Sequence, residues 1–281
     1  MNQLLKVAES FLVNGNVTKI ERIKKGYINH TYKVETLSKN NNVHKYILQR
    51  INTNVFPDVD ALMSNYQVTT THLRETLNMP GQHEKGNVQL LRKTRDNKLY
   101  LENSSGVWRM MTYFDDVYSI DIPDDADAFY YAGVSFGNFI KAMSSVDASQ
   151  IKEVIPNFHN TRSRYHDLEA AISLDPRKRV KNITDEIEFV RSRTYLFGKI
   201  TDALESGVIP TRICHNDCNL NNILFDKITH LPVAIIDLDT VMPGSMLYDF
   251  GDSIRFGASS AAEDEKDLSK VYCVPELYEE Y

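Results

Sequence analysis

Cys214-His215-Asn216-Asp217-Cys218-Asn219-Leu220-Asn221-Asn222-Ile223-Leu224-Phe225-Asp226, followed by Ala234-Ile235-Ile236-Asp237-Leu238-Asp239, is the stretch whose reading decides the fold. It runs His-x-Asp-x-x-x-x-Asn, then an apolar run, then a second apolar run ending in Asp. Phosphoryl transfer needs little covalent help from a protein. It needs a carboxylate to orient and deprotonate the attacking hydroxyl, and oxygen ligands that hold magnesium on the phosphates. Asp217 is the candidate base, and Asn222 and Asp237 are the candidate metal ligands. Ile223–Phe225 and Val233–Ile236 read as two short strands that pin the loop. Strand alternation then puts Asp239 on the same face as Asp237, as a second metal contact or an acceptor for a substrate hydroxyl. Taken singly these residues say less: an Asp in a polar loop is ordinarily a turn residue, and His215 reads as a structural hydrogen-bonding residue. Order and spacing together carry the reading.

Outward from this island the chain divides. Met1–Gly15 has the pattern of an amphipathic helix closed by Gly15. Val17–Ile23, His30–Thr36 and Lys45–Ile51 are extended runs separated by Lys25-Gly26 and Asn40-Asn41-Asn42, which predicts an antiparallel meander. Asp58 opens a helix to about Glu75, with Ala61, Leu62, Asn65, Val68, Thr69 and Leu73 on one stripe. Val88–Thr94, Leu99–Glu102 and Val107–Phe114 read as further strands. From Pro123 the pattern is mostly helical, over Asp127–Met143, His166–Leu174 and Thr184–Leu204, with Arg212–Asp239 as a strand-and-loop insertion. This order predicts an α+β fold of two lobes, 1–115 and 116–281, joined near Phe114–Pro123.

Bulk composition narrows the function class. Over 281 residues, 32 basic against 38 acidic side chains leave a net charge of −6, which argues against a generic nucleic-acid or anionic-membrane binder. No apolar run is long enough for a signal peptide or a membrane span. The three cysteines Cys214, Cys218 and Cys273 fit reduced thiols in a cytoplasmic protein. Cys214, His215 and Cys218 lack a second ligand pair for zinc, and no Gly-x-x-x-x-Gly-Lys-Ser/Thr segment exists for a P-loop. Gly133-Val134-Ser135-Phe136-Gly137 spells a hydrolase elbow but falls inside a helical stripe, where the glycines are expected to permit close packing. The basic run Arg177-Lys178-Arg179 reads as solvated surface, and Trp108 and Tyr113 as core.

The loop around His215-Asn216-Asp217-Cys218 resembles the aminoglycoside phosphotransferase and choline kinase superfamily, whose small-molecule kinases share the two-lobed protein-kinase-like fold. The wider resemblance is to the N-acetylhexosamine 1-kinases. It rests on Ile236–Gly257, on Gly26-Tyr27-Ile28-Asn29-His30-Thr31-Tyr32 and on Tyr46-Ile47-Leu48-Gln49-Arg50-Ile51-Asn52. What the resemblance implies is ATP- and Mg2+-dependent phosphorylation of the anomeric hydroxyl of N-acetylglucosamine or N-acetylgalactosamine by a monomer. Asp217 matches the family's base, and Asn222 and Asp237 match its metal ligands. Gly26, Asn29 and Gln49 fall at the nucleotide, the glycine turn covering the phosphates, and His30 and Asp239 fall at the sugar. Asp249 is expected to brace the catalytic loop, so that Asp249-Phe250-Gly251 only mimics the metal-binding triplet of protein kinases. Choline or an aminoglycoside as acceptor stays open, as does a non-catalytic kinase fold. Three departures bear on this. Gln49 stands where many kinases carry a phosphate-binding lysine, with Arg50 expected to point outward. Asn219 stands two residues after the base, where lysine is common. Family members also continue with further helices beyond the place of Tyr281, so a longer chain is expected.

Overall fold

The computed structural model describes every residue except Met1, Lys25, Tyr27, Lys85, Ile122–Asp125 and Glu263. Lys25 and Tyr27 of the glycine turn, and Pro123 at the lobe junction, therefore lie outside the described residues. The elements are α1 (Asn2–Glu9), β1 (Asn16–Ile23), β2 (His30–Leu37), β3 (Val43–Ile51), α2 (Val59–Thr76), β4 (Leu91–Arg92), β5 (Leu101–Asn103), β6 (Gly106–Thr112) and β7 (Val117–Tyr118). There follow α3 (Ala126–Met143), α4 (Thr161–Leu174), α5 (Thr184–Arg191), α6 (Lys199–Glu205), β8 (Arg212–Cys214), β9 (Ile223–Asp226), β10 (Pro232–Ile235), β11 (Met242–Gly244), α7 (Met246–Gly257) and α8 (Pro275–Glu280).

The alternating strands form an antiparallel sheet in the order β1-β2-β3-β6-β4, with β5 also on β6. Its register sets Thr31 opposite Gln49 and Gln49 opposite Arg109. One face carries Val34, Leu48, Trp108 and Met110 against Val7, Ala8 and Phe11 of the first helix and its exit. The other carries Ile47 and Met111 toward α2 and the second lobe, and Ile51 and Val107 toward Phe56 and Leu62. Asp58 caps α2 by accepting from the Ala61 amide at 2.8 Å. Val88–Thr94 shortens to β4. Thr112 supplies the pairing instead, its amide donating to the Leu90 carbonyl and its hydroxyl accepting from the Leu90 amide.

In the second lobe α3 buries Phe129, Phe136 and Phe139 beneath the strand pair β9-β10, to which β7 adds. β7 pairs Val117 with Asp226, so the chain leaving the first sheet is stitched at once to the strand that follows the Asp217 loop. Thr184–Leu204 is not one helix: α5 and α6 are separated by a single turn at Thr194–Leu196. Gly198 stands at the N-terminal cap of α6, with the Arg162 guanidinium, paired with Asp202, lying against it. Among the described residues no helix is long and apolar enough to cross a membrane.

The helical glycines of α3 are not equivalent. A Cβ on Gly133 would come within 2.7 Å of the Tyr281 carbonyl oxygen, whereas one on Gly137 would meet nothing within 4 Å. Close packing therefore explains Gly133 and not Gly137. The tightest helical contact is elsewhere, where a Cβ on Gly257 of α7 would fall 1.9 Å from the Phe129 ring. Gly137→Ala should stabilise the protein by about 0.5–1 kcal/mol through helix propensity alone. Gly257→Ala should destabilise it by about 1–3 kcal/mol through overpacking. Urea unfolding midpoints of the two variants check this, and the same sign for both would contradict the packing assigned to α3 and α7.

Candidate active site

β8 delivers the chain into the loop, and the loop's shape comes from backbone hydrogen bonds to a buried carboxylate. Asp249 on α7 accepts from the amides of His215 (2.9 Å) and Asn216 (2.7 Å). Asn216 adopts a left-handed backbone, φ 65°, and its side-chain amide donates to the carbonyls of Cys214, Thr240 and Met242. Asp252 accepts from the Cys218 amide at 2.8 Å, while Ser253 donates to the Cys218 carbonyl. His215 is wholly buried between the rings of Phe136 and Phe139, with Nε2 at 3.2 Å from the Ile236 carbonyl. It is a packing and hydrogen-bonding residue of the loop.

Held this way, Asp217 turns its half-buried carboxylate toward two amides. Asn219 donates to Oδ1 at 2.6 Å and Asn222 donates to Oδ2 at 2.9 Å. Burial pushes the Asp217 carboxyl up and the Asp252 carboxylate adds to this, against the opposing pull of His215 and of the Asn222 hydrogen bond. The Asn222 amide nitrogen is committed to Asp217, and no donor among the described residues reaches its carbonyl oxygen Oδ1. The Asn222 main chain also accepts from the Ile236 amide at 2.9 Å, which ties the loop to the end of β10.

The strand expected to reach Asp239 stops at Ile235. Asp237 takes a left-handed backbone, φ 59°, and Leu238–Thr240 is a short 3-10 turn. Strand alternation therefore fails, and the two carboxylates part company. Asp237 is an exposed residue whose carboxylate is nonetheless partly desolvated by the protein around it. That desolvation, with repulsion from Asp239 and Asp217, pushes it up to about 7. Asp239 is 2 % exposed and faces the first lobe. Its oxygens accept from Arg109 Nη1 (2.5 Å) and Nη2 (2.7 Å), and Oδ2 also from Asn29 Nδ2 (3.0 Å). The Asp239 carboxylate read as facing substrate or metal is thus bonded to the sheet.

Of the first-lobe residues in the reading, Gln49 and Asn29 meet Arg109 and Asp239, while Gly26, His30 and Arg50 make no hydrogen bond with that pair among the described residues. Gln49 Oε1 accepts from Arg109 Nε and Nη2, and its Nε2 donates to Thr31 Oγ1 at 3.1 Å. Arg50 is exposed and lies along Gly106. Asn29 accepts from the Asn52 amide at 3.0 Å, and His30 stands exposed at the start of β2. Gly26 has φ 92°, which a glycine adopts without strain, and a Cβ there would meet nothing. The reading from sequence passed over Arg109. Its signal is a lone charge inside the apolar run Val107-Trp108-Arg109-Met110-Met111, which demands a buried partner. A wide hollow of about 720 Å³ on the first lobe, lined by Arg50, Asp58, Tyr100 and Glu102 among others, includes none of Asn29, Gln49, Arg109 and Asp239.

The model of the phosphotransferase enzyme family (APH) matches residues 19–281. A spectinomycin phosphotransferase solved with ADP and spectinomycin is similar at 14 % identity and a TM-score of 0.54, over 100 % of this chain and 79 % of that one. An aminoglycoside phosphotransferase from Alicyclobacillus acidocaldarius is similar at 15 % identity and 0.54, over 89 % and 70 %. An amicoumacin kinase solved with AMP-PNP and Ca2+ is similar at 10 % identity and 0.55, over 99 % and 75 %. At these identities the likeness is one of fold, an antiparallel-sheet lobe on a helical lobe.

Proposed function

Since the chain belongs to the phosphotransferase enzyme family, we propose that it is an ATP- and Mg2+-dependent kinase whose acceptor is the anomeric hydroxyl of an N-acetylhexosamine, GlcNAc or GalNAc. The observation that carries the chemistry is the Asp217 carboxylate, fixed by Asn219 and Asn222 close to Asp237. Asp217 takes the proton of the acceptor hydroxyl as that oxygen bonds to the γ-phosphorus and the bond to the β–γ bridging oxygen breaks. A carboxyl raised by burial suits that task near neutral pH. The acceptor itself is inferred from the resemblance of Gly26–Tyr32, Tyr46–Asn52 and Ile236–Gly257.

ADP and AMP-PNP in two proteins of similar fold support nucleotide binding between the lobes. We place the nucleotide lobe at 1–115 and the acceptor lobe at 116–281; the pairing of β7 with β9 directly after Asp116 supports that division. Gly26 and Asn29 would lie over the phosphates, Gln49 would shape the wall behind them, and His30 would reach the sugar. The metal donors fit a hard cation: Asp237 is an exposed carboxylate crowded by like charge, and Asn222 has a carbonyl oxygen that no donor reaches among the described residues. A divalent cation held by these two residues would neutralise charge on the phosphates.

A neutral acceptor is favoured over a cationic one by the state of the acidic side chains. Asp115 pairs with Lys45 at 2.5 Å, Asp239 with Arg109, and Asp252 with Arg255 at 2.8 Å. Of the candidate carboxylates Asp115, Asp116, Asp239 and Asp252, three are thus already paired within the chain, and only Asp116 of the four shows no such pair among the described residues. ATP consumption with magnesium across N-acetylglucosamine, N-acetylgalactosamine, choline and kanamycin, with phosphorus NMR of the product, tests the reading. A sugar 1-phosphate is expected. Product on choline or kanamycin alone would overturn the acceptor, and bound ATP with no product on any of them would overturn the kinase.

Proton and metal compete for Asp237. Its carboxyl rises from 3.8 in the unfolded chain to about 7 in the fold. Without a cation, its contribution to stability is therefore greatest at low pH and is lost as pH climbs to about 7. Thermal stabilisation by magnesium should grow as pH rises from about 6 to about 8, and Asp237→Asn should abolish that growth. A pH-independent metal shift, or one unchanged in the variant, would place the cation elsewhere.

A further inference from the structure

Arg109 is 1 % exposed on β6, and the groups around it come from distant parts of the chain. Its Nη1 and Nη2 chelate Asp239, its Nε and Nη2 reach Gln49, and the Tyr66 ring of α2 lies 5.1 Å from the guanidinium carbon. Asp239 also takes Asn29 from the turn before β2, and Asn29 in turn takes the Asn52 amide. Just beyond Asp239, the Val241 carbonyl accepts from Asn65 of α2 at 3.3 Å. One carboxylate thereby joins the central strands, the edge of the glycine turn and the segment that begins with Asp237.

We propose that Arg109 is a positioning residue: with Asp239 it forms a latch between the lobes that holds the Asn29 turn and the Asp237 segment in one mutual arrangement. Asp237 needs such an anchor, because a non-glycine residue at φ 59° occupies a sparsely populated backbone region and persists only where neighbours fix it. The anchor sits two residues further along the chain. Arg109 is not placed to contact phosphate itself. All three of its guanidinium nitrogens are engaged, and giving up Asp239 would leave a buried charge without its partner. The guanidinium also opposes the repulsion that Asp239 and Asp217 exert on Asp237. The latch rests on the kinase reading only for its effect on nucleotide and metal; the mechanical coupling of turn and segment stands without it.

Hydrogen exchange of the protein without nucleotide, followed over residues 28–32 and 236–241, reads the coupling directly. In Arg109→Gln both segments should lose protection together, by about tenfold, while the His215 and Asn216 amides held by Asp249 keep theirs. Asn29→Ala cuts the network from the first lobe at a half-buried residue, and should loosen 236–241 across the cleft. It decides the matter even where Arg109→Gln does not fold. Affinity for ATP with magnesium should fall by about tenfold in either variant, and affinity for ATP without metal by far less. Loss of protection confined to β6 in Arg109→Gln, or to 28–32 in Asn29→Ala, would reduce these residues to local packing and overturn the latch. An equal loss of ATP affinity with and without metal would make Arg109 a phosphate ligand instead. Failure of the unaltered protein to bind ATP would remove the kinase reading while leaving the exchange result to decide the latch.

Discussion

A guanidinium beneath a β-sheet has to be met by a carboxylate, and the one that meets Arg109 comes from the other lobe, 130 residues along the chain. Such a buried pair adds little net stability over a well-packed apolar pair, but removing one partner costs about 3–5 kcal/mol. Its effect is to permit few alternative arrangements. Apolar clusters lie on either side of it along the sheet, one containing Ile47 and Met111 and the other Ile51 and Val107, and their non-directional contacts tolerate small adjustments. The polar row Thr31, Gln49 and Arg109 between them cannot, because each hydrogen bond depends on register. The placement of the Asp237 segment against the sheet follows from that row.

The second constraint is backbone shape at the loop. Asn216 and Asp237 both hold positive φ without being glycine, a conformation that costs about 1–3 kcal/mol at each position. The surroundings over-determine both. Two amides on Asp249 and three carbonyls around the Asn216 side chain leave the loop one path. The loop and the segment after β10 thereby bring two carboxylates, Asp217 and Asp237, close enough to repel each other. Each is raised by its surroundings, the state that gains most from a proton to accept or a cation to bind.

How much of this was legible in the sequence follows from the range of each interaction. The meander β1-β2-β3 and the Asp58 cap are local, set by alternation and by a side chain three residues from its partner. Asp217 and Asn222 are five residues apart in one loop, so their contact too can be read from spacing. Asp239 cannot be placed that way, because alternation holds only while the chain stays extended and it leaves the strand at Ile236. Arg109 shows in sequence as a charge out of place, yet its partner and the Tyr66 ring over it are set by tertiary packing. The break between α5 and α6, with its 3-10 turn at Thr194–Leu196 and Gly198 capping α6, likewise leaves no mark in the helical periodicity.

The proposed phosphoryl transfer requires Asp217 to accept the proton of the attacking hydroxyl. The most direct measurement compares Asp217→Asn with the unaltered protein in a single turnover of bound ATP onto an N-acetylhexosamine, with nucleotide affinity determined alongside. The predicted result is a loss of about 10²–10⁴ in rate with nucleotide affinity unchanged. Equal rates for the two proteins would contradict the role of Asp217 and the mechanism built on it.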